Sequence, residues 1–123
     1  MTAGQSILLV DDNPSTLEFL QQRLRALGYR ITVATDGEAA VEHVRRDPPH
    51  LVVLDVSMPE LNGYQACREI KAIDRSIPII ILTGKTDAAD RFWAKQAGAN
   101  VFLNKPIEPA LVVDRIAELL ARS

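Results

Sequence analysis

Cysteine is nearly absent from this chain of 123 residues: Cys67 stands alone, so no internal disulfide framework can form. A lone thiol is most simply a small buried hydrophobe of a cytosolic protein. A basic excess is missing too. The formal net charge is −2 at pH 7, whereas nucleic-acid surfaces show a basic surplus, so no direct nucleic-acid contact is expected. No apolar run approaches the roughly 18–20 residues that cross a bilayer. The opening Met1-Thr-Ala-Gly-Gln5 has neither the basic nor the apolar stretch of a secretory signal. A cytoplasmic location with no membrane contact is expected. Internal repeats and low-complexity segments are absent as well. His43 and His50 lack cysteine or carboxylate partners at ligand spacing, so both read as structural or solvated.

What is present is apolar and alternating. Hydrophobic residues make up 47% of the chain, enough for a packed core, and the length suits one compact domain over residues 1–123. Ile7-Leu-Leu-Val10 and Leu51-Val-Val-Leu54 are wholly apolar, as in strands buried on both faces. Arg30 to Thr35, Ile77 to Leu82 and Val101 to Leu103 complete a set of strands. Between them lie amphipathic segments. Asn13 suits an N-cap and Pro14 a first helical position. Leu17, Leu20, Leu24 and Leu27 then recur at helical spacing until Gly28. Further helices carry Ala40, Val41 and Val44; Cys67, Ile70 and Ile73, after a loop from Val56 to Asn62; a segment from Asp87 to Ala97, ended by Gly98; and Val112, Ile116 and Leu119. Strand–helix alternation repeated five times predicts an α/β fold, a doubly wound five-stranded parallel sheet with five helices over both faces. Phe92 and Trp93 are adjacent, so one narrow helix face cannot bury both fully.

The chemistry gathers at strand ends. Asp11 and Asp12 follow the first strand, Asp55 the third, Thr83 the fourth and Lys105 the fifth. In a parallel sheet these ends open on one edge, so three carboxylates, a hydroxyl and an ammonium share a cleft. Close carboxylates raise one another's pKa unless a cation intervenes. Magnesium takes one or two carboxylates, keeps waters and accepts phosphate oxygens. Lys105 supplies a compact positive charge. These parts suit phosphoryl transfer, which is mostly positioning and charge neutralisation, with a carboxylate as nucleophile.

The chain resembles the receiver domain of response regulators over essentially its whole length. The resemblance is carried by Val10-Asp-Asp-Asn13, Asp55-Val-Ser-Met-Pro59 with Asn62-Gly63, Thr83, and Phe102-Leu-Asn-Lys-Pro106. It implies a flavodoxin-like strand order 2-1-3-4-5, which sets strands one and three side by side at the switch point. It also implies roles. Asp55 is the phosphoacceptor. Asp12 is a direct magnesium ligand, Asp11 one acting through water, and the Ser57 backbone carbonyl a third protein ligand beside Asp55. Thr83 is the switch hydroxyl, Lys105 pairs with the phosphoryl group, and Phe102 is the switch aromatic. The Lys105–Pro106 bond is expected to be cis.

The resemblance further implies a signalling protein rather than a turnover enzyme. It would show only magnesium-dependent self-phosphorylation and autodephosphorylation. A sensor histidine kinase or histidine phosphotransfer protein donates the phosphoryl group. The surface of the fourth helix, fifth strand and fifth helix then docks a downstream protein, as a monomer or a weak phosphorylation-dependent dimer. The chain also departs from the family. Phe102 replaces the commoner tyrosine, Gly84 stands where alanine is frequent, and Lys95 replaces an apolar residue, which implies a less firmly packed fourth helix. Lys85 is expected to approach the phosphoryl group and tune its lifetime. A module that never takes up phosphate would lack an acidic or lysine landmark, and none is missing. A flavin carrier would need a small-residue phosphate loop after the first strand, where two acids stand instead. A phosphatase would need a further acid/base beside Asp55, for which there is no clear candidate. No output domain lies within these residues.

Overall fold

In the computed structural model, residues 4–11, 17–55, 60–84 and 88–121 are described, without the side chains of 60–62 and 88–91. Five strands alternate with five helices: β1 (Ser6–Val10), α1 (Glu18–Ala26), β2 (Arg30–Ala34), α2 (Gly37–Arg46), β3 (Leu51–Asp55), α3 (Glu60–Ile73), β4 (Ile79–Thr83), α4 (Ala88–Gln96), β5 (Val101–Asn104) and α5 (Pro109–Ala121). All pairings are parallel, in the order β2-β1-β3-β4-β5. The expected flavodoxin-like α/β architecture is the one observed.

Strand composition explains the layering. Side chains of a strand alternate between faces, and both faces of β1, β3 and β4 are covered, so each carries a run of four consecutive apolar residues. Leu8, Val10, Val52, Leu54, Ile79 and Ile81 pack with Ala40, Val41 and Val44 of α2, Ala66, Cys67 and Ile70 of α3, and Ala94 of α4. Ile7, Leu9, Leu51, Val53, Ile80 and Leu82 pack on the other face with Leu20 and Leu24 of α1 and Val112, Ile116 and Leu120 of α5. Each fully buried aliphatic side chain contributes about 1.5–3 kcal/mol, so these two layers hold the strand ends in place.

Local signals set the helix ends. Asp36 caps α2, its carboxylate accepting from the Ala39 N–H at 2.7 Å. Gly28 and Gly98 end α1 and the α4 segment with φ of +99° and +95°, values that favour glycine. The expected helix start at Asn13 and Pro14 lies outside the described residues.

Three expectations need correction. The loop read from Val56 to Asn62 is shorter, because α3 already begins at Glu60. The buried face of α3 ends with Ile70; Ile73 is 37% exposed. On α5 the third buried position is Leu120 rather than Leu119, which packs only partly. Among the described residues, no helix is long and apolar enough to cross a membrane.

Candidate functional site

The site is built where β1, β3, β4 and β5 end. Val10 pairs with Leu54, so Asp11 and Asp55, the next residue of each strand, stand side by side. The Asp11 N–H donates to the Ala34 carbonyl at 3.0 Å, which extends the ladder and fixes that residue's backbone. Alternation puts both acids on the α1/α5 side of the sheet. Asp11 is 2% and Asp55 1% exposed. Burial of two carboxylates is costly unless charge or hydrogen bonds answer it.

Lys105 provides part of that answer. Its N–H donates to the Thr83 carbonyl at 2.7 Å, which pins its backbone beside the end of β4. Its ammonium then reaches Asp55, 2.9 Å from Oδ1 and 2.7 Å from Oδ2. The Oδ1 contact has hydrogen-bond geometry; the shorter Oδ2 contact is a charge contact without it. The Lys105–Pro106 bond is cis, as expected. Thr83, the last residue of β4, is 1% exposed. Phe102 is half-buried and packs against the α2/α3/α4 layer.

The structure therefore gathers Asp11, Asp55, Thr83 and Lys105 at one edge. Asp12 and Ser57 lie outside the described residues, and so does Lys85. Among the described residues, two carboxylates and one ammonium meet at this edge. Its donors are oxygens, the set that a hard divalent cation such as magnesium prefers, so Asp11 and Asp55 fit the ion. Among the described residues no group of three His, Cys, Asp or Glu side chains could hold a metal.

Concavity would mislead here. An open groove of about 980 Å³ runs between α2 and α3, lined by Asp36, Glu38, Glu42 and Glu69, and it does not include Asp55. The convergence of buried charge marks the site better than cavity size. Other singled-out residues have structural roles. The Cys67 thiol donates to the Ala97 carbonyl at 3.4 Å, and burial pushes its pKa up to about 12. His50 Nδ1 accepts the Ser6 N–H at 2.9 Å. Phe92 and Trp93 are both exposed, at 55% and 52%; they meet edge to face, centroids 5.4 Å apart. One further polar residue stands at this edge. Asn104 is the register partner of Thr83, and a polar residue closing an otherwise apolar strand was the available signal.

Comparisons with known proteins agree with this fold. A family model described as the response regulator receiver domain matches residues 7–117. The chain is 42% identical over 119 residues to a probable transcriptional regulator ycf27 of Cyanophora paradoxa, covering 97% of this chain and 49% of that relative. It thus spans about half the length of the curated relatives it matches. The receiver domain of the sensor histidine kinase PA1611 of Pseudomonas aeruginosa, solved with magnesium in its active-site cleft, is 40% identical at a TM-score of 0.85, covering 97% of this chain and 99% of that one. A CheY-like receiver domain protein from Methanospirillum hungatei shares the fold at a TM-score of 0.91 and 22% identity, covering 98% of this chain and 96% of that one.

Proposed function

Because the chain belongs to the response regulator receiver domain family, we propose that residues 1–123 form a single receiver domain that accepts a phosphoryl group on Asp55. The donor is a phosphohistidine on a sensor histidine kinase or a histidine phosphotransfer protein. The observation that carries this reading is the Asp55 carboxylate, buried at a strand end with the Lys105 ammonium at 2.7 and 2.9 Å.

An Asp55 oxygen attacks phosphorus; the P–O bond forms as the P–N bond breaks, and the departing imidazole takes up a proton. Asp11, Asp12, Asp55 and the Ser57 carbonyl would hold magnesium, which when bound neutralises charge on the phosphoryl oxygens. Lys105 already contacts both Asp55 oxygens, so it pairs with the phosphoryl group without a large movement. Thr83 donates its hydroxyl to a phosphoryl oxygen, and Phe102 turns inward. The result is a population shift between two states.

The surface that responds is α4, β5 and α5. The exposed Phe92 and Trp93 on α4 support a protein-docking role for it, since paired exposed aromatics are unusual on a face with no partner. On this reading the chain is a cytoplasmic monomer or weak phosphorylation-dependent dimer. It catalyses only its own phosphorylation and dephosphorylation. Acetyl phosphate with magnesium is expected to label the wild-type chain and to leave Asp55→Asn unlabelled. Equal labelling of the two overturns the assignment.

A further inference from the structure

β4 lies between β3 and β5, and its last residue, Thr83, stands one step beyond the level of Asp55 on one flank and level with a polar residue on the other. On one side is the end of β3, where Asp55 pairs with Leu82. On the other is Asn104, the register partner of Thr83. Paired residues of neighbouring strands point to the same face. Ile81, two residues before Thr83, packs in the α2/α3/α4 layer; Phe102, two residues before Asn104 and paired with Ile81, packs against that same layer. Thr83, Asn104 and Phe102 therefore share one face of the sheet. The Lys105 N–H bond to the Thr83 carbonyl, at 2.7 Å, ties the two backbones at this level, so Asn104 cannot drift away from Thr83.

We propose that Asn104 is a positioning residue for the Thr83 switch: its amide, held against Thr83 by the β4–β5 register, favours the hydroxyl position turned away from Asp55. The inference rests on the reading of Asp55 and Thr83 given above. Thr83 is 1% exposed, so its hydroxyl needs a polar surrounding wherever it points. An amide offers both a donor and an acceptor and is suited to a hydroxyl in either orientation. An apolar residue at position 104 would leave the phosphoryl group as the more favoured destination. Asn104 thus opposes activation at rest, and a phosphoryl group on Asp55 outcompetes it.

The test is a beryllofluoride titration with magnesium, read by the fluorine NMR signal of the bound ion and by emission of Trp93, the single tryptophan of the chain. Loss of one neutral hydrogen-bonding partner changes a two-state equilibrium about five-fold. Asn104→Val is therefore expected to half-saturate at a concentration about five-fold lower than wild type. Asn104→Thr, which has valine's shape but keeps a hydroxyl, should stay close to wild type. In a Thr83→Ala background, Asn104→Val should have no effect, which a merely structural role for Asn104 does not predict. Asn104→Ala carries the same expectation if the valine variant folds poorly. A shift of under about two-fold in both apolar variants, or an undiminished shift without Thr83, overturns the inference. If wild type binds no beryllofluoride at all, the Asp55 reading fails first.

Discussion

Lys71 and Lys105 lie at opposite edges of the same sheet and face opposite kinds of chemistry. The Lys71 ammonium, on the last turns of α3, donates to the Ile77 carbonyl at 2.7 Å, the Asn100 Oδ1 at 2.8 Å and the Arg75 carbonyl at 3.3 Å. Three neutral, fixed oxygens match its three N–H groups. Asn100 Oδ1 also accepts from the Ile79 N–H at 2.9 Å, so one knot joins α3, the start of β4 and the turn before β5. Burial holds the Lys71 pKa below its ordinary value. Lys105 instead meets a buried carboxylate, a group that phosphorylation, on the proposed reading, would change in charge and size. A cation among neutral acceptors builds structure. A cation against a convertible charge can report chemistry. The amino edge also carries the Ser6 N–H bond to His50 Nδ1, a further structural contact.

Replacing each lysine by methionine puts this contrast to its hardest test. Lys105→Met is expected to lower acetyl phosphate labelling of Asp55 about a hundred-fold, the size typical of losing one charged stabiliser of a transition state. Lys71→Met should label like wild type at equal folded fraction. Similar losses in both variants would erase the division between the two edges.

Stability separates the pair in a second way. Lys71→Met is expected to lose about 2 kcal/mol in urea denaturation, because several oxygens lose their donor at a half-buried position. Lys105→Met also destabilises, since it strips a buried carboxylate of its cation. Magnesium should restore much of that deficit by binding the folded state, and should leave the Lys71→Met deficit relative to wild type unchanged. A deficit in Lys105→Met that magnesium does not touch would count against a metal at Asp11 and Asp55.

The framework also has its own pH signature. The Cys67 pKa is raised from 9.0 to about 12, chiefly by burial, so above pH 9 the unfolded chain gives up a proton that the folded chain keeps. The stability tied to this thiol is complete below pH 9 and is lost as pH rises toward 12, at no more than about 1.4 kcal/mol per pH unit. Tyr29, raised by burial, adds to this loss, and Lys71, lowered by burial, opposes it. Urea midpoints between pH 8 and 11 should therefore fall more steeply for wild type than for Cys67→Ala. Parallel slopes would show that Cys67 is not a buried, silent thiol.

At the bottom of the range lies the Arg46–Glu42 pair, 3.7 Å apart with side chains 71% and 60% exposed. Arg46→Ala is expected to change stability by less than about 0.5 kcal/mol in the same urea assay. A larger loss would mean that charge on the α2 surface matters more to the fold than solvent screening allows.

Much of this was legible before folding. Wholly apolar strands such as Leu51 to Leu54 announce burial on both faces, and five repeats of strand and helix leave few parallel architectures. Asp55 stood out as a candidate because a carboxylate closing such a strand is costly to bury unpaired. Lys71 did not. Its acceptors are the carbonyl of Ile77 and the amide of Asn100, the latter 29 positions away, and a lysine near a helix end looks solvated from sequence alone. Phe92 and Trp93 showed only that one narrow face could not hold both; that both face outward depends on α4 resting on the small residues Ala94 and Ala97.

The sequence by itself determined the alternation of elements, the apolar layers and the residue types waiting at each strand end, because these follow from local periodicity and from what an apolar strand can bury. Only the tertiary structure decided which of those residues meet. The parallel register brings Asp11 beside Asp55 and Asn104 beside Thr83, and the backbone bond from Lys105 to Thr83 sets the ammonium on Asp55. Contacts of this kind join residues up to 50 positions apart, and they form only once packing of the two layers has fixed the strand order.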